Sequence, residues 1–375
     1  MKPVYCISSN ITAPAGLSTN AVWETVHGGN SMVRLIEDPV LYPKGIWASR
    51  LDGDQWRSIE SAVPDKDLSP LERMGIFSIK NALASCSSEL DLSRTLFVFT
   101  STKGNIEWLG LQPDERNRLT TSARIIAKGA GIQTKPIVIS HACVSGVTGL
   151  IYALHALQSG KYDTAIVTGA DRLSRFVISG FASFQALADE PCRPFDAARK
   201  GINLGEAAAT IILSITAGSE PLARLCSGAT SNDANHISGP SRTGEELAMA
   251  IRQSLAAADL NPGDIAAISA HGTATVYNDE MESKAFALAG LLHAPAHSLK
   301  GYLGHTLGAA GVLESVLLVE SMRRGQTIVS AGFESSGVSQ PVNVTMRSES
   351  IDLPYALKTA SGFGGCNAAV IWSKC

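Results

Sequence analysis

Charge is scarce in this chain and has no strong sign. Asp, Glu, Lys and Arg make up 17% of its 375 residues, and 31 Lys and Arg face 34 Asp and Glu, a formal net charge of −3. Phosphate-rich partners select a basic surplus or stripe, so nucleic acid is not an expected partner. Long apolar runs are also missing. None approaches the roughly 20 residues that cross a bilayer, and the start of the chain lacks the basic, apolar and small-residue succession of a secretion signal. No membrane span is expected, and the expected location is cytoplasmic. The seven cysteines are odd in number, widely spread and free of CxxC spacing, which reads as reduced thiols. His293 and His297 flank Pro295, which denies them helical i,i+4 spacing, so they are read as loop residues. No other His, Cys and carboxylate grouping has ligand spacing; neither a metal nor a bound cofactor is expected. Low-complexity tails and coiled coils are absent as well.

What is present is alternation. Short β-branched runs at Leu96 to Thr100, Pro136 to Ser140, Ala165 to Thr168, Thr210 to Leu213, Ile265 to Ser269 and Ala368 to Trp372 are separated by longer Ala- and Leu-rich stretches. Apolar strands between amphipathic helices indicate buried sheets covered by helices, an α/β architecture. The length exceeds one ordinary core, so two domains or two fused halves are expected.

A duplication favours fused halves. Ala142-Cys143-Val144-Ser145-Gly146 and Gly304-His305-Thr306-Leu307-Gly308 align so that Gly146 matches Gly308 and, further on, Gly149 matches Gly311. A repeated strand-turn-helix unit puts Cys143 and His305 at matching helix N-termini, where a pseudo-twofold axis makes them neighbours. The polar stretch from Ser227 to Arg242 is the candidate join, giving halves 1–228, with the cysteine, and 229–375, with the histidines.

Cys143 follows a strand and opens a helix, where unpaired N–H groups and the helix dipole favour thiolate over thiol. A cysteine taken alone is more often a small core hydrophobe. His271 closes the strand ending at Ala270 and precedes Gly272-Thr273-Ala274-Thr275, with Asp279 and Glu282 beyond. Strand C-terminal ends are where α/β proteins bind ligands. Near the C-terminus, glycines on both sides of Phe363 allow its N–H to point into a site while its ring moves, making it a candidate oxyanion donor and gate. The alternative is an ordinary Gly-rich hairpin.

Together these segments resemble the elongating, Cys-His-His branch (types I and II) of the β-ketoacyl-[acyl carrier protein] synthases of the thiolase superfamily. Five motifs carry the resemblance: His141 to Gly146; Cys192-Arg193-Pro194-Phe195-Asp196 with Gly205-Glu206; His271 to Thr275 with Asp279 and Glu282; Lys300 to Gly311 with Glu314; and the terminal Gly-Phe-Gly-Gly-Cys-Asn. It implies a five-layer αβαβα fold of two pseudo-duplicated halves. Cys143 is then the acyl-accepting nucleophile. His271 and His305 stabilise the enolate of a malonyl thioester as carbon dioxide leaves, and the Cys143 and Phe363 N–H groups hold the oxyanion. Lys300 and Glu314 match a charged pair ordering the second histidine, and Thr273 and Thr275 match hydroxyls on the phosphopantetheine arm. Phe181 matches a residue of the acyl pocket, and Gly364 belongs to the substrate-binding turn. The implied partner is acyl carrier protein, with substrates carried on its phosphopantetheine, and the chain is expected to pair as a homodimer or with a related subunit.

Departures from the family pattern are Ala207-Ala208-Ala209 after Gly205-Glu206, Cys366 in place of a threonine, Gln185 where a basic residue is common, and a compact segment between Thr102 and Lys135. Candidate docking cations are Arg118, Arg124, Lys128, Arg199 and Lys200. Two alternatives stay open: a synthase of a specialised polyene or pigment pathway working as a heterodimer, and a non-catalytic subunit that only shapes a partner's tunnel. A thiolase acting on coenzyme A esters is disfavoured by His305.

Overall fold

The computed structural model describes residues 2–234 and 239–375. The first part of the chain contains β1 (Tyr5–Thr12), α1 (Thr19–His27), β2 (Arg34–Ile36), β3 (Ile46–Ser49), α2 (Gly53–Ala62), α3 (Pro70–Ala84), β4 (Leu96–Thr100), α4 (Leu119–Gly129), β5 (Ile137–Ile139), α5 (Ser145–Gln158), β6 (Thr164–Asp171), α6 (Arg175–Ser183), β7 (Leu204–Gly205) and β8 (Ala207–Ser214). Then come β9 (Ala223–Asn232), α7 (Glu245–Ala257), β10 (Ala267–Ser269), α8 (Val276–Leu288), β11 (Ala296–His297), α9 (Lys300–Leu303), α10 (Ala310–Arg324), β12 (Tyr355–Gly362) and β13 (Cys366–Ser373). Each of the six strands expected from the sequence has its counterpart here.

The topology repeats. In the ten-stranded sheet the order is β11-β10-β12-β13-β9-β1-β8-β6-β4-β5. Read outward from the central β1–β9 contact, each half has the order first, fifth, fourth, second, third of its own strands. The pairing senses also match: β4 is parallel to β5 and β6, and β10 to β11 and β12, while β6–β8, β8–β1, β12–β13 and β13–β9 are antiparallel. Through the sheet the halves are joined where β1 meets β9, at Tyr5–Arg224 and Cys6–Ala223.

Burial explains the layers. Helix α10 is buried from Ala310 through Met322, and α5 buries most of its length. Helices buried on all sides belong inside a fold, and these two share one apolar cluster with strand residues of both halves. Helices α3 and α4 cover the outer face of the first half and α7 and α8 that of the second, each with its own cluster. The result is the five-layer αβαβα arrangement. At the centre, a Cβ on Gly146 would lie 2.7 Å from the Val312 nitrogen, and one on Gly311 would lie 2.5 Å from the Val147 nitrogen. The repeated glycines therefore let α5 and α10 touch backbone to backbone.

Two sequence readings need correction. Ser227 to Asn232 is not connecting loop but part of β9, hydrogen-bonded to β13; residues 235–238 of that stretch lie outside the described residues. His297 is not a loop residue either: it lies in β11, pairs with Ser269 of β10 and is 2% exposed. Among the described residues, no helix is long and apolar enough to cross a membrane.

Candidate active site

The turn into α5 presents Cys143. Ala142 holds φ 44°, a left-handed conformation that costs a non-glycine residue about 1–2 kcal/mol. Ser145 stabilises that turn, its Oγ accepting the His141 N–H (2.8 Å) and donating to the Ala142 carbonyl (2.6 Å). The matching residue of the second copy, Gly304, has φ 63°. His305 follows it and is clamped from outside its own segment: its N–H donates to the Asn203 carbonyl (2.7 Å), and its carbonyl accepts the Gly205 N–H (3.0 Å). Gly205 of the Gly205-Glu206 motif thus helps seat His305, whereas the Glu206 carboxylate accepts the Leu51 and Leu173 N–H groups. The repeat is imperfect here, because a short 3-10 turn, Leu307–Ala309, separates His305 from α10.

His271 sits just past β10. Glu282 on α8 accepts the His271 N–H (2.8 Å) and the Gly272 N–H (2.6 Å), while Asp279 accepts the Thr273 N–H (3.0 Å) and the Phe195 N–H (2.7 Å). The acidic pair downstream of His271 therefore shapes its turn and does not face a substrate.

These elements converge. The Cys143 Sγ and one ring nitrogen from each histidine all lie within 4.8 Å of one another. The two imidazoles meet edge to face, with ring centroids 5.2 Å apart. Behind them lies a buried ion cluster. Lys300 donates to Glu314 Oε1 (2.8 Å) and to the His271 carbonyl, and Lys358 lies 2.6 Å from Glu314 Oε2. The Cys-His-His spacing would also suit a divalent ion, but the two ammonium groups beside it oppose added positive charge.

Burial and those cations set protonation. The His305 imidazole is pushed down to about 3 and His271 well below its ordinary value, first by loss of solvent and then by Lys300, with Lys358 adding to both. Both rings are therefore neutral. Burial also raises the Cys143 thiol to about 12, against the downward pull of Lys300 and of the hydrogen bond from the Phe363 N–H. This runs against the expectation of a thiolate: loss of solvent outweighs Lys300 and the Phe363 hydrogen bond, and the resting group is a thiol beside two neutral bases.

A cavity of about 940 Å³ opens onto the three residues. Phe181, Thr273, Thr275 and Phe363 line it, and the two threonine hydroxyls are 2.8 Å apart. Phe363 packs against Phe181 and Phe184, centroids 5.5 and 5.4 Å away. Gly364, φ 87°, is in the β12–β13 turn but is not a lining residue. Of the candidate docking cations Lys200 lines the cavity, whereas the Arg199 guanidinium is spent on the carbonyls of Asp196, Gly337 and Val276.

Sequence reasoning missed Lys358 and the close approach of Gly362 to the nucleophile. Lys358 is completely buried, and its signal was a lone charge in the otherwise apolar and small-residue run Tyr355–Gly362. Gly362 ends β12 against the nucleophile, where a Cβ would lie 3.0 Å from the Cys143 nitrogen.

A thiol, two neutral imidazoles and a backbone N–H at the end of a deep cavity define a centre for thiol-based acyl transfer. Residues 1–217 match the β-ketoacyl synthase N-terminal domain and residues 222–334 the β-ketoacyl synthase C-terminal domain. The chain belongs to the β-ketoacyl synthase family. It is 28% identical to nodulation protein E of Rhizobium leguminosarum bv. trifolii, covering 98% of each chain. Identity is 26% to 3-oxoacyl-[acyl-carrier-protein] synthase 2 of Mycobacterium tuberculosis, covering 99% of this chain and 97% of the other. The solved ishigamide ketosynthase/chain length factor shares the fold, with a TM-score of 0.90, 23% identity, and coverage of 100% of this chain and 99% of that one.

Proposed function

We propose that the chain catalyses decarboxylating Claisen condensation of an acyl-enzyme thioester with malonyl-acyl carrier protein, giving a 3-oxoacyl-acyl carrier protein two carbons longer. The observation that carries this reading is the convergence of Cys143, His271 and His305 within 4.8 Å at the end of one cavity.

In the first half-reaction the Cys143 sulfur attacks the acyl thioester carbonyl. Its proton passes to a neutral imidazole and on to the departing phosphopantetheine sulfur, leaving acyl-Cys143 and a free carrier thiol. In the second, the bond to the malonyl carboxylate breaks, carbon dioxide leaves, and the electron pair enters an enolate whose oxygen accepts N–H bonds from His271 and His305. A protonated imidazole is not required, because neutral rings can donate from Nε2. The enolate carbon then attacks acyl-Cys143, with the Cys143 and Phe363 N–H groups holding the oxyanion. Collapse breaks the C–S bond, and the thiolate regains one proton from solvent, the proton that the overall condensation consumes.

Lys300 and Glu314 order the first histidine rather than the second, because the Lys300 ammonium donates to the His271 carbonyl as well as to Glu314. Thr273 and Thr275 hold the phosphopantetheine arm, Phe181 bounds the acyl chain, and Gly364 gives the Phe363 turn its freedom. The substrates arrive on acyl carrier protein, and the chain works as a homodimer or beside a related subunit, in fatty acid or specialised polyketide-like synthesis. The join between the halves is the β8–β9 link, because residue 228 falls inside β9 and the topological repeat starts with that strand.

The test is condensation itself. Purified protein given an acyl-carrier protein and malonyl-carrier protein is expected to release carbon dioxide and the elongated 3-oxoacyl product. An acyl panel that yields no product, either with the chain alone or paired with a related subunit, would overturn the reading.

A further inference from the structure

Two lysines share one carboxylate under the histidines, and only Lys300 is accounted for above. Lys358 is completely buried in β12, directly beside Ser269, whose other neighbour is His297 of β11. Its ammonium donates to the carbonyls of Ser269 (3.1 Å), Ala270 (3.2 Å) and Thr359 (2.6 Å) and pairs with Glu314. Ser269 and Ala270 are the two residues that lead directly into His271. One buried cation therefore ties the end of β10, which carries His271, to α10, which carries Glu314 and through it Lys300.

We propose that Lys358 is a positioning residue for the decarboxylation half-reaction, fixing the β10 end and holding positive charge behind both imidazoles so that they remain neutral donors to the enolate. This rests on the condensing reading of the site. The groups facing the histidines are Lys300 of α9, Glu314 of α10, Lys358 of β12, Cys143, and each other. Glu282 of α8 accepts the His271 N–H, Asp279 sits one turn behind it, and His297 feels the charges of Lys358 and Glu314. Lys300 points to a carbonyl of His271 itself, whereas Lys358 holds the two preceding carbonyls, so the two cations fix successive residues. Removing the Lys358 charge lowers the cost of protonating an imidazole and frees the β10 end. The working neutral form is then lost at a higher pH than in the unaltered protein.

The experiment compares Lys358→Met and Lys358→Arg with the unaltered chain. Acyl loading and malonyl-carrier-protein decarboxylation are followed separately between about pH 3 and 8, a range that reaches the acid limb set by His305 near 3. For Lys358→Met, decarboxylation is expected to fall on the order of 10²-fold, the scale of a small misplacement at a reacting centre. Loading should fall much less, and the acid limb of decarboxylation should move to higher pH. Lys358→Arg keeps the charge and should leave that limb in place even if the rate drops. If Lys358→Met does not fold, Lys358→Gln, neutral but still able to donate, carries the same limb reading. Equal loss of both half-reactions with an unmoved limb would reduce Lys358 to a structural role and overturn the inference. An unaltered chain that neither loads nor decarboxylates would instead overturn the reading of the site.

Discussion

Gly362→Ala is a one-carbon perturbation aimed at the nucleophile. The added Cβ would lie 3.0 Å from the Cys143 nitrogen, 3.3 Å from the Ala142 Cβ and 3.4 Å from the Cys143 Cβ. Ordinary contact begins near 3.5 Å, so the β12–β13 turn must retreat by about 0.5 Å. Neither neighbour can yield easily, because Ala142 is already in a left-handed conformation fixed by Ser145. Overpacking of this kind costs about 1–3 kcal/mol of stability. The chemical cost is larger, since Phe363 is the next residue and its N–H is the second oxyanion donor proposed above. Such donors work within a window of about 2.7–3.1 Å, and losing one costs on the order of 10²–10³ in rate. Gly362→Ala should therefore slow acyl loading about 10²-fold, followed by rapid-quench intact mass, while lowering the melting temperature by only a few degrees. Loading at the unaltered rate with normal stability would refute the proposed closeness of the turn to the nucleophile.

Three other outcomes follow from the same geometry. His305→Ala should impair malonyl decarboxylation more than acyl loading, as separate half-reaction assays would read; equal losses would mean the imidazoles divide the work differently. Because His305 is held near 3, its neutral form persists as pH falls through 6.5, so the decarboxylation rate should be flat between pH 6 and 7.5, and an acid limb centred near 6.5 would contradict the burial argument. With its thiol near 12, Cys143 in the free protein should be alkylated by iodoacetamide at a rate still rising at pH 10, whereas a plateau near pH 8 would mean that the helix end outweighs desolvation.

The features legible in the sequence were those carried by local pattern. The β4 and β8 runs are mostly apolar, so their strands were visible, and the paired glycines of the two repeats disclosed both the duplication and the approach of Cys143 to His305. What stayed hidden depended on distance in sequence. The helix-end argument for a thiolate uses only neighbours of Cys143, but the burial that reverses it comes from strands and helices of both halves. Lys358 acquires its meaning only when β12 lies beside β10 and under α10. Ser227 to Asn232 looks like a linker because its residues are small and polar. It becomes a strand because β13 supplies hydrogen-bond partners along its length.

The central claim is that Cys143 carries the growing acyl group. Intact-protein mass spectrometry after incubation with acyl-carrier proteins should reveal one acyl adduct, mapped by peptide digestion to Cys143, absent from Cys143→Ala and discharged when malonyl-carrier protein is added. An adduct that persists in a folded Cys143→Ala variant, or one on Cys143 that malonyl-carrier protein leaves in place, would contradict the account.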